Sequence, residues 1–251
     1  AWHIVGDEVT MAIQSAYNSG KILKQLNSTS IALIPKVDCP ENVSQFRPIA
    51  CCNVLYKALT KVLCARLSII LPDIIDPAQS AFIKGRDIIG NVLICQDLIR
   101  LYGRSSCSPR FIMKLDLHKA YDTVEWSFLL DLIDELGFPK RIIDLITQCI
   151  TTPTYTFIIN GESSGFVKGK RGLRQGDPLS PLLFTVCLDY LSRLLTIIPR
   201  LPLFKLHPLC KHLQINHLCF ADYLILFSSG YVQSVKLLCY AFEKLSKTSW
   251  P

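Results

Sequence analysis

Two short apolar runs meet at one carboxylate near the C-terminal end of the chain. Residues 215–220 and 223–228 are rich in Leu, Ile and Phe, and Ser-Ser-Gly closes the second run. Runs this short favour strands over a helix, so they predict a buried β-hairpin that presents Asp222. A buried ionised Asp is tolerated when it is paired, hydrogen-bonded or bound to a metal. The alternative is that Asp222 is an exposed turn residue.

A second strand is predicted far upstream. Side chains alternate along residues 110–116, so that the strand ends on Asp116. Asp116 and Asp222 are therefore two acids at predicted strand ends.

The remaining pattern is mainly helical. A strand is predicted at residues 30–35, and Asn160-Gly161 predicts a hairpin that begins with residues 154–159. This mixture predicts an α+β fold, with a sheet covered by helices on one side. The predicted helices span residues 4–18, 53–70, 87–101, 117–136, 141–150, 181–197 and 232–242.

Composition bounds the class of protein. The 251 residues are 50% hydrophobic and 19% charged, enough for the core of one large domain or two small ones. The formal net charge of +7 favours a polyanionic partner without proving one. The most apolar stretch, residues 181–203, contains Asp189, Arg193 and Arg200, which favours a buried helix over a membrane span. With no signal peptide visible, we expect an intracellular protein, nuclear or cytoplasmic.

The eleven cysteines form no C-x-x-C pair, which predicts free thiols in a reducing compartment. A zinc-organised interaction module remains an alternative, although the spacing of its candidate ligands matches no standard finger. The candidate ligands are His207, Cys210, His212, His217 and Cys219.

A basic, glycine-rich loop follows the predicted hairpin. Residues 168–176 contain three glycines and four cations, a composition suited to phosphates or bases. The cations are Lys168, Lys170, Arg171 and Arg174. Upstream, Lys84 and Arg86 flank Gly85 and suit a phosphate as well.

Two carboxylates on adjacent strand ends can hold a pair of Mg²⁺ ions about 3.5 to 4 Å apart. One ion would activate a 3′-hydroxyl and the other would bridge a triphosphate. Sequence position alone leaves an acid pair of a hydrolase as an alternative.

A set of motifs in one order narrows these possibilities. The chain resembles reverse transcriptases of non-LTR (LINE-type) retrotransposons over nearly its whole length. The motifs are Ile31-Ala-Leu-Ile-Pro-Lys36, Phe46-Arg-Pro-Ile49, Tyr56-Lys57, Gln79-Ser-Ala-Phe82, Lys114-Leu-Asp-Leu-His-Lys-Ala-Tyr-Asp122, Gly172-Leu-Arg-Gln-Gly-Asp-Pro-Leu-Ser-Pro181 and Phe220-Ala-Asp222.

The resemblance implies a polymerase-type fold with fingers and palm, the palm being an antiparallel sheet backed by helices. It places the fingers in residues 1–108 and 137–171 and the palm in 109–136 and 172–251, without a thumb. It also implies an RNA-directed DNA polymerase that uses an RNA template, a DNA primer, deoxynucleoside triphosphates and two Mg²⁺ ions.

Site residues follow from the same resemblance. Asp116 and Asp222 match the metal ligands, with the Leu117 carbonyl as a helper ligand. Tyr121 matches an aromatic gate that would collide with a ribose 2′-hydroxyl. Its alternative role is that of a core aromatic.

Three further residues match nucleotide-binding positions. Arg86 matches a cation for the triphosphate, and Gln175 and Gly176 match a loop that packs on the incoming nucleotide. The alternative for Gln175 is a turn residue.

The departures from the family bear on activity. Tyr223 stands where the family has a second consecutive Asp, and a neutral phenol is a poor Mg²⁺ ligand. Gly90 stands where relatives often carry Asp, and the sequence resembles a window that stops before the thumb. The chain is therefore expected to be either an impaired copy of the enzyme or a catalytically inactive nucleic-acid-binding remnant.

Overall fold

The computed structural model describes residues 2–100, 102, 108–117 and 119–249, without the side chains of 246–249. Leu101, His118, Trp250 and Pro251, which belong to predicted elements or motifs, lie outside the described residues. The helices are α1 (Trp2–Ser19), α2 (Val54–Ile74), α3 (Ile89–Arg100), α4 (Ala120–Thr123), α5 (Trp126–Glu135), α6 (Lys140–Thr151), α7 (Ser180–Ile197) and α8 (Val232–Ser249). The strands are β1 (Ser28–Pro35), β2 (Phe46–Cys52), β3 (Arg110–Asp116), β4 (Thr154–Ile159), β5 (Glu162–Lys168), β6 (His217–Phe220) and β7 (Tyr223–Ser229).

The chain divides into two compact units. The first unit comprises Ala1–Arg66 and Tyr121–Ser180, and the second comprises Leu67–Ala120 and Pro181–Pro251. These bounds differ from the predicted fingers and palm. Residues 67–108, predicted as fingers, belong to the second unit, whereas residues 121–136 and 172–180, predicted as palm, belong to the first. The assignment of fingers and palm stays a prediction.

The first unit contains a four-stranded sheet in the order β2-β1-β4-β5. β1 pairs antiparallel with β2 and parallel with β4, and β4 and β5 form the predicted hairpin. Asn160 has φ 52° and Gly161 has φ 84°, the left-handed values that a two-residue Asn-Gly hairpin turn requires.

The second unit contains an antiparallel sheet in the order β3-β7-β6. The hairpin of β6 and β7 is present as predicted, and its two-residue loop is Ala221-Asp222, with Ala221 at φ 52°. One face of the sheet packs on α3 through Leu98, Leu218 and Phe227. The fold is therefore α+β with an antiparallel sheet backed by a helix, as expected.

α7 is the apolar helix of the second half. The segment Ser180–Arg200 is long and apolar enough to cross a membrane, but 67% of its most apolar window is buried inside the protein. That burial agrees with the expected core helix.

Two local features differ from the predicted elements. β2 was not predicted; its Pro48 lies on an edge strand of the sheet, where a proline is tolerated. The helix predicted over 117–136 is interrupted between α4 and α5, where the Val124 carbonyl accepts from the Gly172 N–H at 2.8 Å instead of continuing the helix.

Candidate active site

Asp116 and Asp222 lie at the same end of the second unit's sheet. Asp116, the last residue of β3, is the Cα partner of Tyr223, and Asp222 immediately precedes that residue. The Leu117 N–H donates to the Asp222 carbonyl at 3.2 Å, which fixes the backbone beyond the last strand pair. Asp116 is exposed and Asp222 is half-buried. Both acids therefore stand at adjacent strand ends and are open to solvent.

Tyr223 occupies the place directly opposite Asp116. Its ring is 42% exposed and lies under the Lys114 ammonium, with 4.6 Å between Nζ and the ring centroid. Lys114 and Asp116 share one face of β3, since side chains alternate along a strand. Asp116 therefore shares that face with a cation and a phenol.

These donors can be compared with what Mg²⁺ needs. The ion is commonly bound by one or two carboxylates together with substrate phosphates and water. Asp116 and Asp222 are carboxylates of this kind at one end of the sheet, whereas Tyr223 supplies none. The Leu117 carbonyl, the expected helper ligand, already accepts from the Ala120 N–H at 3.1 Å. Among the described residues, no group of three or more His, Cys, Asp or Glu could hold a metal ion.

The zinc alternative gains no support from the described residues. His207 Nδ1 lies 4.0 Å from Cys210 Sγ, whereas Cys219 Sγ contacts Ser192 Oγ at 3.7 Å. Burial raises the pKa of Cys210 to about 11 and that of Cys219 to about 12. Burial therefore disfavours, in both residues, the thiolate that zinc would bind.

Arg86 is engaged inside the second unit. Its Nη1 donates to the carbonyls of Asp76 and Gln79 at 2.7 and 2.8 Å, and its Nη2 to those of Pro72 and Ile75 at 2.8 and 2.7 Å. The N–H groups of both Nη atoms are thus used to close the C-terminal end of α2, where a cation is favourable. These donors are occupied within the protein, and the role of Arg86 at a triphosphate stays a prediction.

Arg174 is likewise a buried structural residue. It is 7% exposed, and its Nη2 lies 2.9 Å from Asp177 Oδ2 and also contacts the Tyr56 hydroxyl. Its Nη1 donates to Asn27 Oδ1 at 2.7 Å, and its Nη2 also donates to the Cys149 carbonyl at 3.0 Å. The guanidinium is enclosed by protein groups in this structure, and its contact with nucleic acid stays a prediction.

Tyr56 completes the buried cluster. Its hydroxyl donates to Asp177 Oδ2 at 2.6 Å, and its ring lies 4.3 Å from the Arg174 guanidinium carbon. Burial raises the pKa of Tyr56 well above its ordinary value, so the phenol stays neutral and remains a donor. In the sequence, Tyr56 was only part of a motif. Local spacing could not indicate its contacts with Arg174 and Asp177, which are 118 and 121 positions away along the chain.

The other three loop cations are exposed. Lys168, Lys170 and Arg171 all face solvent, and Arg171 lies 3.4 Å from Glu125 in a surface ion pair. Such pairs exchange readily with other anions, since they contribute little energy. These three residues remain available to a polyanion.

The loop of Gln175 and Gly176 closes on β2. The Ala50 N–H donates to the Gln175 carbonyl at 2.7 Å, and a Cβ on Gly176 would come within 2.9 Å of the Ala50 carbonyl oxygen. Gly176 also has φ 104°, a conformation that favours glycine. Glycine is therefore required here both by conformation and by the close approach of two backbones.

A cavity of about 210 Å³ lies beside this loop. Its lining includes Asp122, Tyr155 and Phe157 together with Arg171 and Gln175. Sequence reasoning did not assign Asp122 to the site, although it ends the motif that begins at Lys114.

Tyr121, which precedes the cavity residue Asp122 in the chain, is half-buried. Its carbonyl accepts from the Leu173 N–H at 2.7 Å, which ties α4 to the glycine-rich loop within the first unit. Its role as a gate stays a prediction.

Comparisons with known proteins agree with the motifs. The chain is 28% identical over 209 residues to the Pol polyprotein of the retrotransposable element R2DM of Drosophila melanogaster, covering 83% of this chain and 19% of that protein. It is 26% identical over 188 residues to the transposon TX1 149 kDa protein of Xenopus laevis, covering 75% of this chain and 14% of that protein. The chain thus spans less than a quarter of these relatives.

The fold has solved counterparts. Apo telomerase from Candida tropicalis, truncated from its C-terminal domain, superimposes with a TM-score of 0.58 at 15% identity, over 98% of this chain and 53% of that one. The chain therefore has the polymerase fold of these proteins. The family model of reverse transcriptase (RNA-dependent DNA polymerase) matches residues 34–249, so the chain belongs to the reverse transcriptase family.

Proposed function

We propose that the chain is an RNA-directed DNA polymerase domain of a retrotransposon, which transfers nucleotides to the 3′-hydroxyl of a DNA primer on an RNA template. The observation that carries the proposal is that Asp116 and Asp222 lie at adjacent strand ends. A hydrogen bond from the Leu117 N–H to the Asp222 carbonyl connects the two strand ends. The family match over most of the chain supports the same chemistry.

The residues have separable roles. Asp116 and Asp222 would hold Mg²⁺, which when bound activates the primer hydroxyl and offsets the charge of the triphosphate. Tyr121 would exclude a ribose 2′-hydroxyl, and Gln175 and Gly176 would pack on the incoming nucleotide. Substrates of this kind place its work inside the cell, in the nucleus or the cytoplasm.

This copy is impaired by Tyr223. The residue opposite Asp116 offers one neutral oxygen instead of a carboxylate, and its ring is in contact with the Lys114 ammonium. A nearby cation and a missing carboxylate both weaken attraction for Mg²⁺, since affinity depends on the count of ligand charges.

The test compares four proteins: the chain, Tyr223→Asp, Tyr223→Phe, and Tyr223→Asp combined with Asp116→Asn. Mn²⁺ binding followed by electron paramagnetic resonance should strengthen for Tyr223→Asp alone, and extension of a labelled DNA primer on RNA should rise in parallel. Tyr223→Phe is the matched control, because it keeps the ring and adds no charge. Strong extension by the unmodified chain would refute the impairment by Tyr223, and extension by the variant that lacks the Asp116 carboxylate would refute the catalytic role of Asp116.

A second candidate is a nucleic-acid-binding protein without chemistry, favoured by the contact between Lys114 and Tyr223. It predicts salt-sensitive binding through Lys168, Lys170 and Arg171 with no extension by any variant. Neutralising one cation that touches a phosphate should flatten the logarithmic salt slope by about 0.7 to 0.9. A slope that stays constant when all three are changed to Gln would exclude these cations from the interface.

A further inference from the structure

The four-stranded sheet of the first unit has one packed and one open face. Ile31, Ala50 and Tyr155 lie on the packed face, next to the loop that contains Gln175. Residues paired across strands point to the same side, and Thr154 Oγ1 accordingly donates to Ser28 Oγ at 3.3 Å on the other side. The open face consists of Ser28, Ser30, Ala32, Ile34, Arg47, Ile49, Cys51, Thr154, Thr156, Ile158, Ser163, Phe166 and Lys168. None of these residues is buried.

A bulge turns Phe166 onto the open face. Tyr155 pairs with Val167 and Phe157 with Ser164, so two residues of β5 oppose one residue of β4. Gly165 stands in the bulge with φ 67°, as the glycine of a β-bulge often does. Val167 points to the packed side with Tyr155, and its neighbour Phe166 therefore points to the open side.

Phe166 is exposed to an unusual degree. Its relative exposure is 82%, the highest of the large apolar side chains in the described part of the chain. An aromatic ring in water forgoes the free energy of burial, and rings displayed on sheets commonly serve as stacking platforms. The exposed ring is therefore suited to an occupant with a flat apolar surface.

The charges on this face are of one sign. Arg47 on β2 and Lys168 on β5 are its charged residues, and both are cations at diagonal corners. Strand spacing puts them roughly 14 Å apart across the sheet and roughly 20 Å apart along it. In one common RNA-binding module, a four-stranded sheet stacks two or three bases on its exposed aromatic rings. The open face here carries one such ring, Phe166.

Strand addition by a second protein copy suits the same edge less well. β5 is the outer strand, but the bulge at Gly165 and the charged Lys168 both interrupt a regular edge. Bulges and lysines are the usual means by which an edge strand avoids pairing. The charge, the aromatic ring and the interrupted edge together favour a polyanion with flat bases.

We propose that the open face is a second nucleic-acid-binding surface, on which a base of a single strand stacks on Phe166 while Arg47 and Lys168 contact its phosphates. This inference rests on the proposed function only in taking nucleic acid as the ligand. It does not require Asp116 or Asp222, which belong to the other unit.

The test measures the anisotropy of a fluorescein-labelled 20-nucleotide oligouridylate at one fixed salt concentration. Phe166→Ala should weaken binding roughly 5- to 150-fold, the loss expected when one stacked base loses its ring. Phe166→Trp should retain binding, and the salt slope of Phe166→Ala should match that of the unchanged chain, because the ring carries no charge. Val54→Ala is the matched control, since Val54 is 79% exposed in the same unit but lies on α2.

Three outcomes would overturn the proposal. The first is binding by Phe166→Ala within twofold of the unchanged chain, with thermal melts that show both proteins folded. The second is an equal loss of affinity for a blunt duplex, whose bases are already stacked. The third is photo-crosslinking of 5-iodouridine oligonucleotide to peptides that exclude Phe166.

The primer-extension test separates this proposal from the polymerase. If no protein in that test extends a primer while binding of the oligouridylate still depends on Phe166, the polymerase proposal fails and the open-face proposal stands.

Discussion

Replacing Arg174 by Met tests whether the glycine-rich loop uses this residue for structure or for nucleic acid. In the folded protein the guanidinium is paired with Asp177 at 2.9 Å and is 7% exposed. Methionine fills similar space but leaves the Asp177 carboxylate buried without its cation, with hydrogen bonds from the Tyr56 hydroxyl and the Leu179 N–H. Stability should therefore fall by about 3–5 kcal/mol, the cost of leaving one member of a buried ion pair without its partner.

Arg171→Met is the matched control, three residues earlier in the same loop. Its guanidinium is exposed and lies 3.4 Å from Glu125, so the expected loss is below about 1 kcal/mol. Urea unfolding at pH 7 measures both changes. With a slope of about 2 kcal/mol per molar urea, the Arg174 change corresponds to a midpoint lowered by roughly 1.5 to 2.5 M.

The double variant Arg174→Met with Asp177→Asn makes the test more specific. Removing the charge on both sides should recover part of the lost stability, because no uncompensated carboxylate remains. A stable Arg174→Met protein with weakened nucleic-acid binding would refute the structural role and restore the phosphate contact predicted from the sequence.

Other predictions concern pH and backbone geometry. Burial lowers the pKa of His217 to about 4, so below about pH 6.5 the unfolded chain gains a proton that the folded chain does not. The free energy of unfolding should therefore drop by about 3 kcal/mol between pH 6.5 and 4. In urea titrations at both pH values, His217→Gln should remove this drop. Arg86→Met should destabilise by about 2–4 kcal/mol, because four carbonyls at the end of α2 lose a charged donor, whereas exposed Lys84→Met should stay within about 0.5 kcal/mol. Gly172→Ala should cost more in thermal melts than Gly137→Ala: both have positive φ, but only the Cβ at 172 would meet a backbone carbonyl oxygen, at 2.7 Å.

Local pattern predicted the elements that carry the acids. Alternation along residues 110–116 gives β3 with its predicted bounds, and the two apolar runs around Asp222 give β6 and β7. These segments are set by side chains that alternate between two faces of one sheet, which is information held within each strand. The polymerase fold then followed from motif order, which local periodicity alone could not supply.

The surroundings of Arg86 and Arg174 could not be predicted from local sequence patterns. Arg86 and Arg174 stand in basic, glycine-containing loops like exposed phosphate binders, and only the folded chain shows what surrounds them. Arg174 meets Asn27 and Tyr56, which are 147 and 118 positions away in sequence. Composition indicates that a loop is basic, whereas tertiary packing decides which of its cations face solvent.

The neighbours of Tyr223 explain why one substitution weighs on the whole site. Two carboxylates and the Lys114 ammonium leave a single net negative charge at the strand end, and the ammonium lies 4.6 Å from the Tyr223 ring centroid. A carboxylate at 223 would stand opposite Asp116 in the strand register, so like charges would crowd one corner of the sheet. Such crowding is unfavourable without a cation and therefore increases the affinity for one. Tyrosine relieves this crowding and keeps Lys114 as a partner, so Tyr223→Asp at the proposed metal site is expected to lower stability without metal and to raise the affinity for Mg²⁺.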